Sequence, residues 1–187
     1  MSLNEYGLQN CRACPLHKGA TQKVDGRGPL PCDVYLLGEG PGQEEDKSGL
    51  PFVGKSGQFL QAAIEAAGLS TAAGVQVGQG AVRVGNVVRC RPPRNRKPLP
   101  QEATKCASWL ELELELAQPK VIVCLGRTAI EQFLPGRKLL KGTKVGDYVG
   151  KRFAFAWEQD EPSVAYGWEV QVLLPGCREI FGCYHPA

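Results

Sequence analysis

Three short, strand-length segments constrain this chain more than any other feature: residues 33–39 (DVYLLGE), 82–88 and 120–125. The first and third are almost continuously apolar, the pattern of strands buried on both faces rather than half-exposed. Helical patterns separate them. Ser56 can cap a helix over 57–67, which Gly68 ends, and residues 101–117 place Ala103, Cys106, Leu110 and Leu114 along one stripe. A further helix follows at 127–134, and strand-like stretches recur at 152–157, 169–174 and 180–184. Strands alternating with helices imply βαβ units, hence an α/β fold with a mostly parallel sheet covered on both faces.

The intervening segments read as irregular. Residues 1–32 hold a short helix and a loop, 43–57 form a polar, glycine-bearing loop, and 69–80 are small and glycine-rich. Residues 91–100 contain four prolines and cannot continue a helix or a central strand. At 187 residues, with neither repeats nor a composition break, one domain is expected. No apolar run reaches membrane-spanning length, and residues 1–10 carry no secretion signal, so the reading is a cytoplasmic, intracellular monomer without a membrane partner.

Net charge is only +3, but its distribution is uneven. Arg89, Arg91, Arg94, Arg96 and Lys97 crowd one stretch; Arg137, Lys138, Lys141 and Lys144 crowd another. Such patches suit a polyanion, or equally a solvated loop. Eight cysteines are many for an intracellular chain, where ligation explains them better than disulfides. Cys11 and Cys14 form a C-x-x-C pair, Cys90 follows the second strand, and Cys106 sits on the long helix. Four thiolates suit zinc or an iron–sulfur cluster, and spacing does not decide between them. Cys32, Cys124, Cys177 and Cys183 read as inert thiols.

The first strand runs into a Gly-Pro-Gly turn, and residues 38–57 read GEGPGQEEDKSGLPFVGKSG. GNVVRCRPP follows at 85–93, VCLG at 123–126 and YHPA at 184–187. In order, spacing and placement at strand ends this combination resembles the family 4 uracil-DNA glycosylases. The resemblance runs from Cys11 to Ala187, weakly over 70–81 and 145–180. It implies a three-layer α/β/α sandwich acting on uracil-containing DNA, single- or double-stranded. It also implies a 4Fe-4S cluster on Cys11, Cys14, Cys90 and Cys106.

By the same resemblance, Phe52 stacks on a flipped base, Asn86 reads its edge, and His185 supports the departing uracil. Gly38, Gly40 and Gly42 let the backbone approach the ligand. Other branches carry a water-activating aspartate where Gly40 stands, so Glu39 or Glu45 is expected to hold the water. Glu45 is also placed to wall off the 5-methyl of thymine. Glu44 reads as solvated and His17 as a surface residue. The family continues past this motif into a leucine wedge and a last helix, and the expectation is a domain without either. A non-catalytic uracil-binding module and a zinc-stabilised nucleotide-binding domain are the rival readings.

Overall fold

The computed structural model describes residues 2–133, 152–154 and 179–183, the last two as backbone strands. Five strands form one sheet: β1 (Val34–Gly38), β2 (Val82–Asn86), β3 (Val121–Leu125), β4 (Arg152–Ala154) and β5 (Glu179–Cys183). Their order is β2-β1-β3-β5-β4. The first four in that order run parallel, and β4 is antiparallel to β5 at the edge. The helices are α1 (Gln43–Ser48), α2 (Lys55–Ala66), α3 (Pro100–Ala117) and α4 (Arg127–Gln132).

Side chains alternate across a strand, and β1 divides its residues between two cores. Tyr35 and Leu37 pack with Leu110 and Leu114 of α3 and with Ala129 and Ile130 of α4. Leu36 packs with Leu60 and Ile64 of α2 and with Val82 and Val84 of β2. The expected three-layer α/β/α arrangement is therefore present, with both faces of the sheet covered.

Two ionic arrangements hold this frame. At the start of β1, Asp33 accepts from the backbone N–H groups of Gly78, Gly80 and Ala81 at 2.8–3.1 Å. It also accepts from Lys120 Nζ at 2.8 Å. Burial pushes its carboxyl up, but Lys120 and the backbone donors outweigh this and hold it below its ordinary value. The second arrangement is central. Glu113, fully buried on α3, accepts from Arg83 Nε at 2.6 Å, Arg89 Nη2 at 2.5 Å and Tyr35 Oη at 2.5 Å. Burial raises the Glu113 carboxyl, yet Arg89 and Arg83 together hold it below its ordinary value.

Several sequence expectations change. The 43–57 loop contains a helix, α1, whose first turn is closed by Glu45 Oε2 accepting the Gly42 N–H at 3.0 Å. The cap of α2 is Gly54, not Ser56. β2 ends at Asn86, although Val87 and Val88 still donate to the Gly38 and Glu39 carbonyls at the end of β1. Arg89, counted with the basic surface patch, is only 1% exposed. The second basic group (Arg137 to Lys144) and the stretch at 169–174 lie outside the described residues. Among the described residues, no helix is long and apolar enough to cross a membrane.

Candidate active site and cysteine cavity

β1 and β2 pair in register so that Gly38 stands opposite Asn86 at their carboxyl ends. Open parallel sheets bind ligands at this end. A cleft of about 480 Å³ opens there, within the roughly 300–1,000 Å³ usual for small-molecule sites. Glu39, Gly40, Gly42, Glu45, Phe52 and Asn86 all line it. Six positions singled out from the sequence thus gather at one place, and a seventh, Gly38, lies against two of them.

Gly38 has a specific steric role. A Cβ on it would lie 2.5 Å from Phe52 Cζ and 2.6 Å from Asn86 Oδ1. The missing methyl is what lets the aromatic edge and the amide meet. Phe52 itself takes a left-handed backbone, φ 54°, rare for a bulky residue. Gly57 in the first turn of α2 permits this: a Cβ there would come within 2.1 Å of the Phe52 carbonyl carbon. Asn86 is buried, whereas Phe52 is half-buried and open to the cleft.

The two glutamates differ. Glu45 is buried, and its Oε1 accepts from the backbone of Val53 at 2.9 Å and Gly54 at 2.8 Å. With the Gly42 bond, its carboxylate ties the first turn of α1 to the Phe52 loop. Glu39 accepts instead from the Thr128 hydroxyl of α4. Neither Thr128 nor Gly57 stands out in the sequence; Thr128 lies 89 positions from its partner. Glu44 is exposed and pairs with Lys47 at 3.3 Å, as expected of a solvated residue. Asp46 is not solvated: it is buried and accepts from Thr21 N and Oγ1 at 2.9 and 2.7 Å.

The proline-rich loop forms one wall through Pro92, Asn95, Arg96 and Pro98. Its cations are partly engaged. Arg96 makes a two-pronged pair with Glu102 at 2.8 and 2.7 Å, and Lys97 pairs with Glu131 at 3.1 Å. Arg94 is exposed with φ 54°. His185 lies outside the described residues.

Cys11, Cys14, Cys90 and Cys106 line a second cavity, walled by Leu8, Leu16, Val88 and Trp109. Burial pushes the Cys90 thiol up to about 12, and the neighbouring Cys106, Cys14 and Cys11 push the same way. No group of three or more His, Cys, Asp or Glu side chains among the described residues is gathered as for a single metal ion. His17, expected at the surface, lines this cavity half-buried, its Nδ1 2.6 Å from the Cys14 carbonyl. Cys32 and Cys124 are buried elsewhere in the core, as expected.

A family model described as the uracil DNA glycosylase superfamily matches residues 26–187. The chain belongs to this superfamily. It is 42% identical over 139 residues to a type-4 uracil-DNA glycosylase of Thermotoga maritima, covering 74% of this chain and 68% of that one. It is 40% identical over 180 residues to the type-4 enzyme of Archaeoglobus fulgidus, covering 96% and 78%. A type-5 uracil-DNA glycosylase of Thermus thermophilus is 35% identical over 151 residues, 68% of each chain. The type-4 matches are the more extensive, so this glycosylase sits in the type-4 branch, as its motifs suggest.

Proposed function

We propose that the protein hydrolyses the N-glycosidic bond of deoxyuridine in DNA, beginning repair at an abasic site. The observation that carries this is the joint placement of Phe52 and Asn86 across Gly38 in a cleft at the carboxyl end of the sheet. An aromatic ring and a buried amide at that separation supply the two contacts a flipped base requires, one on its face and one on its edge. The Asn86 amide offers an acceptor for uracil N3–H and a donor for O4. Cytosine presents the reverse pattern and leaves the amide unpaired, a strong basis for rejection.

Bond cleavage places positive charge on the sugar and negative charge on the departing base. Glu39, its carboxylate held by Thr128, is assigned to the sugar side, where it positions water and balances the developing cation. His185 is assigned to the O2 side, where a donor stabilises the uracil anion. Glu45 is assigned a positioning role: its carboxylate oxygens already serve three backbone donors. This reading replaces water activation by Glu45.

A four-iron cluster fits the second cavity by its donors, four thiols among apolar residues and the basic Lys23, Arg89 and Lys105, which suit an anionic group. Held by Cys11, Cys14, Cys90 and Cys106, it would tie the N-terminal segment to α3 and to the chain leaving β2. That chain begins at Asn86, so the tie bears on the base-reading end of the strand.

The test is excision from uracil-containing oligonucleotides, single- and double-stranded, by anaerobically purified protein. Asn86→Asp should lower uracil excision by roughly 5- to 150-fold, the equivalent of about 1–3 kcal/mol for an unpaired buried group. It should also relax selectivity against cytosine. No excision of uracil by the parent protein would overturn the assignment and favour a module that binds uracil without cleaving.

A further inference from the structure

Arg89 is the most thoroughly buried cation in the described structure, 1% exposed, and it follows β2 immediately before Cys90. Its Nη2 donates to Glu113. Its Nε and Nη1 have no hydrogen-bond partner among the described residues. Buried guanidinium donors are rarely left so, because each unmet bond to a charged group is costly. Arg89 is among the residues that line the cavity of Cys11, Cys14, Cys90 and Cys106. Apart from the basic Lys23 and Lys105 and the His17 ring, the other walls are hydrocarbon, so sulfur is the chief acceptor the cavity offers. Glu113 fixes one end of the guanidinium through Nη2.

We propose that Arg89 is an outer donor to the iron–sulfur cluster, directing its two unpartnered N–H groups at the cluster's sulfurs. This rests on the cluster reading above. The acceptors are anionic, and each electron added makes them more so. A fixed cation donating to them therefore favours the reduced cluster and raises its potential, since hydrogen bonds to sulfur are a main lever on such potentials. The same contacts oppose loss of iron, because an emptied cavity leaves the guanidinium without acceptors. Arg89 thereby differs from Arg83, whose guanidinium is spent on Glu113, Asp25 and the Gly28 carbonyl.

The comparison is between the anaerobic full chain carrying Glu113→Gln and the same chain with Arg89→Met added. The first relieves Arg89 of its buried partner, so the second removes no charge that another buried group depends on. Expected results are a fall in the cluster's reduction equilibrium of at least tenfold, about 59 mV for one electron, and faster iron release to a chelator. A second measurement is spectroscopic. With guanidino-¹⁵N-arginine incorporated, the paramagnetic form of the cluster should show spin-echo modulation at the ¹⁵N frequency, absent from unlabelled protein and from the Arg89→Met variant. Unchanged potential and iron release in folded variants, or absence of that modulation, would overturn the assignment of Arg89 alone. Absence of iron from the parent protein would overturn it together with the cluster reading.

Discussion

Replacing Gly38 by alanine adds one methyl between the Phe52 ring and the Asn86 amide. The backbone there is not left-handed, so the substitution brings no conformational strain of its own. Its cost is steric. The new Cβ would stand 2.5 Å from Phe52 Cζ and 2.6 Å from Asn86 Oδ1, well inside contact distance. Both neighbours are side-chain tips, and Phe52 opens to the cleft, so they can yield by moving apart. The fold should survive with little change in melting temperature, while the distance between stacking ring and reading amide is lost. If the Asn86 bonds to the base fail, about 1–3 kcal/mol of transition-state binding goes with them, a fall of roughly 5- to 150-fold in kcat/KM. The assay is excision on a labelled single-stranded uracil oligonucleotide alongside a thermal melt. Gly19→Ala is the control, since a Cβ there meets nothing within 4 Å. A folded Gly38→Ala protein with kcat/KM within twofold of the parent would refute the steric reasoning.

Other substitutions probe the same frame. Thr128→Val removes the donor to Glu39 and should lower kcat by roughly tenfold with KM steady, Thr128→Ser restoring it; a shift in KM alone would argue against the proposed role of Glu39. Glu45→Gln presents an amide N–H₂ to backbone donors, so the Phe52 loop should become more sensitive to limited proteolysis and excision should fall together with it; a protected loop would show that the carboxylate is not its anchor. Acid should unfold the protein through its buried carboxylates. Glu113 titrates below its ordinary 4.5 when folded, so its stabilising contribution is complete above about pH 4.5 and is lost as pH falls through the depressed folded value. Urea unfolding between pH 7 and pH 3 should show stability declining below about pH 4.5, and Glu113→Gln should flatten that part of the curve.

Much of the frame was legible because periodicity reports burial. Residues 33–39 and 120–125 are apolar runs too short for helices, and both became interior strands. The Gly-Pro-Gly turn and Asn86 were legible as strand-end features, which parallel pairing then brought side by side. Helix α1 was hidden because it is short and polar, and Glu45 closes it from within. Arg89 was misread because a charge next to other charges looks like surface. Its partner Glu113 was equally disguised, alternating with leucines in ELELEL as a solvated helix face would. Only the tertiary fold reveals that, of the three glutamates in this run, α3 turns Glu113 inward. Thr128 had no local signal, since nothing in a sequence links positions 89 apart.

Asp33 has a consequence for how such a protein can change. Parallel strands have no hairpin to fix their alignment, and here one carboxylate fastens the beginnings of β1, β2 and β3 through Gly78, Gly80, Ala81 and Lys120. That clamp sits at the amino ends of the strands, away from the cleft at their carboxyl ends. Alignment is thus secured where no substrate arrives, and the register does not depend on the rim around Phe52, Glu39 and the proline-rich loop. A lineage can exchange residues there, and with them its choice of damaged base, without sliding one strand past another. The sheet behaves as a comb held at its spine, whose teeth can be recut one at a time.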